Sequence, residues 1–184
     1  MNIPNLLTVL RVLLIPCFIL LFYMPYEWSY MAASSVFAVA AATDWLDGYL
    51  ARRLQQSTPF GAFLDPVADK LMVGAALIVL VDLGRIGPFI ALIIIGREIT
   101  ISALREWMAE LGARAHVAVS NLAKWKTAAQ MVALVILLAN PPTFTAWVLF
   151  GYALLIIAAV LTLWSMAQYL LAAWPHLRIT SEKK

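Results

Sequence analysis

Four aspartates in a short stretch are the residues of this sequence best suited to chemistry. Asp44 and Asp47 are three residues apart, and Asp65 and Asp69 are four residues apart. Each pair therefore shares one face if its segment is helical. Most of the surrounding residues are apolar, and a carboxylate at a lipid-exposed helix centre costs about 2.5–3.5 kcal/mol. The acids must face inward, and acids in that position are functional by default.

Carboxylates this close together cannot all ionise without a compensating cation. They offer only oxygen ligands, and the histidines of the chain, His116 and His176, lie far along the sequence. Oxygen ligands favour a hard ion, Mg²⁺ or Mn²⁺, and argue against zinc. Two such ions could share the four acids, an arrangement that stabilises the attacking and leaving oxygens at a phosphorus atom.

The elements that carry these acids are predicted to be membrane helices. Of the 184 residues, 64% are hydrophobic and 12% are charged, whereas soluble domains are about half apolar and a quarter charged. A bilayer crossing needs about 20 apolar residues, and six segments qualify: 5–24, 28–53, 60–81, 86–108, 117–139 and 143–172. The sequence predicts an all-α, polytopic membrane helical bundle of six transmembrane helices, in a single domain over 1–184. The first segment is long for a signal peptide and is predicted to be a retained span.

The Lys and Arg residues of the loops predict the orientation of the bundle. One set of loops, with the C-terminal tail, carries Arg52, Arg53, Arg105, Arg114, Lys124, Lys126, Arg178, Lys183 and Lys184. The opposite loops carry only Arg85. Basic loops stay in the cytoplasm, so both termini and the active site are predicted at the cytoplasmic side. The sequence shows no basic patch of the kind that binds nucleic acid.

The depths of the four acids are predicted to match. A turn centred near Gln56 lies nine residues from both Asp47 and Asp65, and twelve or thirteen residues from Asp44 and Asp69. An antiparallel hairpin would thus place the two pairs at similar depths, facing each other.

Small residues and one arginine accompany the acids and have two interpretations each. Gly48, Ala51 and Gly61 either let helices approach closely or leave room for a flat ligand. Arg52 lies one turn beyond Gly48. It either reaches the membrane interface with its long side chain or contacts a phosphate.

A second group of candidates is basic and consists of Arg97, Arg105, Arg114, Lys124 and Lys126. Arg97 either pairs with Glu98 or a motif aspartate, or it belongs to a phosphate pocket. Arg105 and Arg114 fit a solvated turn equally well. The N-terminal residues Asn5, Thr8 and Arg11 are candidates for headgroup contact, although Thr8 has its own helix backbone as an alternative partner.

The stretch from Asp44 to Asp69 resembles a family signature. It matches D-x2-D-G-x2-A-R-x8-G-x3-D-x3-D in full, with eight fixed positions in 26 residues, and this is the motif of the CDP-alcohol phosphotransferases. The resemblance extends along nearly the whole chain. The segments 2–11, 96–99, 102–111 and 124–127 look like those of bacterial family members whose acceptor is glycerol 3-phosphate.

The resemblance implies roles for individual residues. Two divalent ions would be held by Asp44, Asp47, Asp65 and Asp69, and Asp69 would also be the general base. The nucleotide would contact Asp44, Asp47, Gly48, Ala51, Arg52, Gly61 and Asp65. The phosphate of the acceptor would bind the basic group. The resemblance also implies a homodimer in the bacterial cytoplasmic (inner) membrane.

The implied reaction is a step of phospholipid biosynthesis. A phosphatidyl group passes from CDP-diacylglycerol to glycerol 3-phosphate, and CMP leaves. The chain has no obvious activated Ser–His or Cys–His nucleophile, so direct transfer is expected.

Two alternatives remain at this stage. The motif concerns the donor, so inositol phosphate, serine and phosphatidylglycerol remain open as alternative acceptors. Intramembrane acids also occur in cation transporters, but the spacing of small residues and Arg52 argue against a divalent-cation transporter.

Overall fold

The computed structural model describes the backbone of residues 3–54, 59–110, 121–140, 143 and 145–181. These ranges contain no strand and six helices: α1 (Ile3–Phe22), α2 (Ser29–Leu54), α3 (Pro59–Asp82), α4 (Pro88–Glu110), α5 (Asn121–Ala139) and α6 (Ala146–Ser181). The all-α prediction is confirmed, and each predicted segment corresponds to one helix. The largest difference is at α6, which continues past the predicted end at 172.

The outer surface of the bundle is apolar. Among the described helices, two are long and apolar enough to cross a bilayer, over Asn5–Phe22 and Ala146–Gln168. Large exposed apolar side chains nevertheless occur on all six helices, for example Leu13, Met31, Phe63, Phe89, Val132 and Trp147. So much exposed apolar surface is unusual for a soluble monomer. The protein therefore has the character of a membrane protein.

Side-chain contacts define the directions of the first three helices. Phe18 of α1 packs on Phe37 of α2 with ring centroids 6.0 Å apart, and Phe22 packs on Tyr30 at 5.3 Å. Residue numbers rise along α1 as they fall along α2, so the two helices are antiparallel. The α3 helix runs parallel to α1, and its last residue, Asp82, accepts a hydrogen bond from the Tyr23 hydroxyl at 2.7 Å.

The bundle has two halves. The α1 helix packs against α2 and α3, whereas α6 packs against α4 and α5. Contacts of α2 with α5 and of α3 with α4 join these halves. Lipid supplies little hydrophobic force between helices, so close packing must hold them together. Gly151 of α6 shows how close the packing is, because a Cβ atom there would lie 3.1 Å from Leu137 Cγ of α5.

The apolar core and most of the buried polar side chains lie in different parts of the bundle. The apolar core contains Phe18, Phe37, Leu77, Leu80, Ile94, Leu134 and Leu155. Apart from Ser29, Ser34 and Arg85, the buried polar side chains that the structure describes gather at a second end, which includes Asn5, Thr8, Arg11, Arg97, Lys126, Gln130 and Thr162. We call this second end, where α1 and α3 begin and α2 ends, the acid end, because Asp44, Asp65 and Asp69 lie there.

Arg85 connects the two halves of the bundle at the end opposite the acid end. The α3 helix ends in a Schellman motif, with Gly84 at φ 65° and the Arg85 N–H bonded to Leu80 O at 2.9 Å. Glycine is favoured there because it adopts the left-handed conformation without strain. The motif directs the Arg85 guanidinium to the carbonyls of Leu137 and Asn140 at the end of α5. Burial lowers the pKa of Arg85.

We expect Arg85→Met to destabilise the fold. Two carbonyls at the end of α5 would lose a charged donor, and each such hydrogen bond contributes about 1.5–3 kcal/mol. The midpoint of thermal unfolding in detergent should fall by about 6–24 °C. Tyr152→Phe is the matched control, since it removes only the hydroxyl that donates to Arg85 O and should have a smaller effect. An unchanged midpoint for Arg85→Met would contradict this account.

Candidate active site

Arg11 of α1 contacts the first aspartate of the motif. Its Nη1 donates to Asp44 Oδ1 at 2.8 Å, and the arginine is only 1% exposed. A guanidinium buried this deeply is unfavourable unless it is paired. The ion pair therefore fixes one oxygen of Asp44 and couples α1 to α2.

Thr8 makes the equivalent contact with the other acid pair. Its Oγ1 donates to Asp65 Oδ1 of α3, and Thr8 is also 1% exposed. Thr8 and Arg11 are three residues apart and share a face of α1, and Asn5, on the preceding turn, is buried as well. One face of α1 thus holds an acid from each pair.

The position of α1 changes the expected arrangement of the acids. The sequence predicts two acid pairs that face each other across a hairpin of α2 and α3. In the structure α2 packs far more extensively against α1 than against α3, and polar side chains of α1 contact Asp44 and Asp65. The N-terminal residues predicted to contact a headgroup therefore lie among the acids, and Thr8 has a partner outside its own helix.

Asp69 lies at a small polar cavity between α3, α4 and α5. The cavity has a volume of about 30 Å³ and is lined by Asp69, Lys70, Val73, Glu98, Thr127, Gln130 and Met131. This volume is about twice the minimum that one water molecule needs. The cavity therefore has room for about two water molecules or hydroxyl groups beside the Asp69 carboxylate.

Two buried cations meet at a serine of α6. Arg97 of α4 is 6% exposed and Lys126 of α5 is 1% exposed. Arg97 Nη2 lies 3.5 Å from Ser165 Oγ, and Lys126 Nζ lies 3.4 Å from the same atom. Ser165 donates its own proton to Thr162 O at 3.0 Å. Its two lone pairs are thus directed at the two cations.

The charges around Ser165 favour an anion. Arg97 also donates to Glu98, so the ion pair that the sequence left open is present. Lys126 approaches the same hydroxyl from α5. Two cations that approach one hydroxyl repel each other, most strongly where water is excluded. A phosphate would accept from both cations, and Arg97 offers the forked donor geometry that suits it.

Several predicted site residues lie outside the described side chains. The structure describes no side chain for Asp47, Gly48, Ala51, Arg52, Arg105 and Lys124, and Arg114 is outside the described backbone as well. Gly61 is described and lies buried on α3. The described part of the site thus brings together Asp44, Asp65 and Asp69 with Thr8 and Arg11, and separately Arg97 with Lys126.

The described acids have the right chemistry for a hard metal ion. Asp44, Asp65 and Asp69 present carboxylate oxygens, and two of them are held by hydrogen bonds from α1. Ligand carboxylates in metal sites are commonly oriented by such outer hydrogen bonds. Among the described side chains alone, no three metal-binding groups come close enough to hold an ion. Asp47, the remaining acid of the motif, is not among them.

A large apolar groove adjoins the polar cavity. It has a volume of about 600 Å³ between α1, α3 and α4, and its walls include Ile15, Ile19, Leu71, Ile78, Ile95 and Ile99. Lys70, Val73 and Glu98 line both spaces. An apolar surface therefore begins directly beside the polar cavity that contains Asp69.

The sequence alone does not single out Gln130 and Ser165. It indicates Arg11 as a headgroup contact and does not predict its ion pair with Asp44. A signal for Gln130 and Ser165 was present, because isolated polar residues interrupt apolar segments there. Inside a membrane bundle, such residues face other helices or a site.

The comparison with known proteins agrees with this geometry. The sequence profile of the CDP-alcohol phosphatidyltransferase family matches residues 1–174. The chain belongs to that family, as its motif indicated.

Individual relatives are similar over almost their full length. A protein of Pseudomonas fluorescens is 72% identical over all of this chain and 96% of its own length. Proteins of Escherichia coli K12 and of Shigella flexneri serotype 5b are each 58% identical over 94% of both chains. All three are named CDP-diacylglycerol–glycerol-3-phosphate 3-phosphatidyltransferase.

We expect inorganic phosphate to stabilise the protein through the cations at Ser165. At about ten times its Kd, a ligand adds about 1.4 kcal/mol, which should raise the unfolding midpoint by about 3–6 °C. Lys126→Met should lose most of this rise, because one of the two cations is gone. Arg85→Met is the control, since it removes a buried cation at the opposite end and should keep the rise. An equal rise in Lys126→Met would place phosphate elsewhere.

Proposed function

We propose that this protein transfers the phosphatidyl group of CDP-diacylglycerol to glycerol 3-phosphate. The products are phosphatidylglycerophosphate and CMP, and the reaction is a step of phospholipid biosynthesis. The observation that carries the proposal is the full-length similarity to relatives that are named for this reaction. The geometry supports it, because acids, paired cations and an apolar groove lie together at the acid end.

Asp69 is the proposed general base. A hydroxyl of the acceptor attacks the phosphorus that carries diacylglycerol, and the bond from that phosphorus to the CMP oxygen breaks. The attacking hydroxyl must lose its proton, and a carboxylate within hydrogen-bond reach can accept it. The cavity beside Asp69 has room for one such hydroxyl.

The four motif acids are the proposed metal ligands. The family is generally dependent on divalent metals, and we assign two Mg²⁺ or Mn²⁺ ions to Asp44, Asp47, Asp65 and Asp69. Bound ions would balance the charge of the diphosphate. Arg11 and Thr8 support this assignment, because each orients one of these acids, Asp44 and Asp65, through a hydrogen bond to one carboxylate oxygen.

The two substrates are assigned to different sides of the acids. The cytidine diphosphate would contact Asp44, Asp47, Gly48, Ala51, Arg52, Gly61 and Asp65. The phosphate of the acceptor would bind Arg97 and Lys126 next to Ser165, with Arg105, Arg114 and Lys124 as further basic candidates. An apolar groove that shares walls with the Asp69 cavity supports a lipid donor.

We also propose that all six helices cross the bacterial cytoplasmic membrane, as a single domain over 1–184 with both termini in the cytoplasm. Exposed apolar side chains on every helix support this. Arg85, the cation at the opposite end, binds helix carbonyls and is not a free surface charge. The site would then face the cytoplasm, and the homodimer implied by the family would form within the membrane.

The reaction itself gives the first test. Purified protein in detergent, given CDP-diacylglycerol and Mg²⁺, should release CMP with glycerol 3-phosphate. It should release little with serine, inositol phosphate or phosphatidylglycerol. Release with a different acceptor instead would support the class of reaction and show that glycerol 3-phosphate is not the acceptor. No release from folded protein would contradict the proposal and turn attention to cation transport.

The role of Asp69 gives a separate prediction. Asp69→Asn should lower kcat by about 10²–10⁴-fold without changing the midpoint of thermal unfolding by more than a few degrees. Additional Mg²⁺ or Mn²⁺ should not restore the rate, since a base and not only a ligand is lost. Asp82→Asn makes the same change at the opposite end and should keep normal turnover. A near-normal rate for Asp69→Asn would exclude Asp69 as the base.

A further inference from the structure

Gln130 of α5 has a buried oxygen atom without a partner. The residue is 4% exposed and lines the same cavity as Asp69. Its Oε1 accepts no hydrogen bond from any part of the chain that the structure describes. A buried amide oxygen left in this state is unfavourable by an amount comparable to a lost hydrogen bond. Such an atom beside a candidate base indicates a place for a donor from a ligand.

The cavity restricts the size and chemistry of that donor. Its volume of about 30 Å³ is about twice what one water molecule needs, so it accepts only groups of the size of a hydroxyl, on the order of two of them. Carboxylates of Asp69 and Glu98 line the cavity as well, and they disfavour a second anion. A neutral hydroxyl that donates to Oε1 fits both conditions.

The proposed acceptor carries exactly one polar group that the site has not yet accounted for. Its phosphate is assigned to Arg97 and Lys126, and its attacking primary hydroxyl is assigned to Asp69. The secondary hydroxyl remains. Gln130 is four residues after Lys126 and shares its helix face, and it lines one cavity with the proposed base Asp69.

We infer that Gln130 recognises the secondary hydroxyl of the acceptor and sets the specificity of the enzyme for a 1,2-diol phosphate. The hydroxyl donates its proton in a hydrogen bond to Gln130 Oε1, and no covalent bond changes. This inference rests on the proposed function. An acceptor without the hydroxyl would bind but would leave Oε1 unpaired, and sites built around a hydrogen bond reject such analogues.

The test compares two acceptors in the same protein. Glycerol 3-phosphate and 3-hydroxypropyl phosphate both have a phosphate and a primary hydroxyl, and only the first has the secondary hydroxyl. For the wild-type protein, kcat/KM should favour glycerol 3-phosphate by roughly 10- to 100-fold. In Gln130→Met, which keeps the length of the side chain without the amide, the preference should fall to about threefold or less.

Controls keep this test independent of folding. A ratio of two kcat/KM values does not depend on the active fraction of a preparation. Gln168→Met is the matched control, because Gln168 is an exposed amide on α6 and its loss should leave the preference unchanged. If Gln130→Met does not fold, Gln130→Asn replaces it, since it withdraws the amide oxygen by one carbon and should lose the preference as well.

The outcomes separate the two proposals. No CMP release by the wild-type protein with either acceptor would contradict the proposed function. Equal use of both acceptors by the wild-type protein, or an unchanged preference in the Gln130 variants, would overturn the inference and leave the proposed function in place. A preference that is large in the wild-type protein and lost only in the Gln130 variants would support it.

Discussion

The structure depends on one constraint, which is that a charge buried among apolar helices must be paired. Arg11 is paired with Asp44, Arg97 with Glu98, and Arg85 with carbonyls at the end of α5. An unpaired buried charge would cost several kcal/mol. The contacts of Arg11 and Arg85 each connect separate elements of the bundle. The pair of Arg97 and Glu98 lies within α4, and Arg97 also approaches Ser165 of α6. The charges needed for chemistry therefore also determine how the helices are arranged.

This constraint divides the bundle between acidic and basic halves. The motif acids lie on α2 and α3 and are held by α1, whereas the cations at Ser165 come from α4 and α5 and converge on α6. Each half packs mainly within itself. A cavity that Asp69 and Gln130 line together lies between the halves. The proposed acceptor, which carries both an anion and a hydroxyl, would contact both halves at this position.

The sequence predicted the helices and the acids because both depend on local patterns. Apolar segments gave six helices, and the spacing of Asp44, Asp47, Asp65 and Asp69 indicated shared faces. It did not predict that Thr8 and Arg11 contact those acids, since that depends on which helix packs beside α2, and hydropathy is the same on all sides of an apolar helix. Ser165 was missed for the same reason, because a lone serine acquires meaning only when Arg97 and Lys126 reach it from other helices.

Ser165 and Gln130 differ in whether their polar atoms have hydrogen-bond partners within the described part of the protein. Ser165 uses its proton on Thr162 O and both lone pairs on cations, so its hydrogen-bonding capacity is full and its effect is to position Arg97 and Lys126. Gln130 keeps an acceptor unused in a cavity beside Asp69. A polar group whose hydrogen bonds are all made within the protein positions other side chains. A polar atom at a cavity that lacks such a partner is available to a ligand. By this criterion the cations near Ser165 suit an anionic group, and Gln130 Oε1 is an acceptor atom left open at the Asp69 cavity.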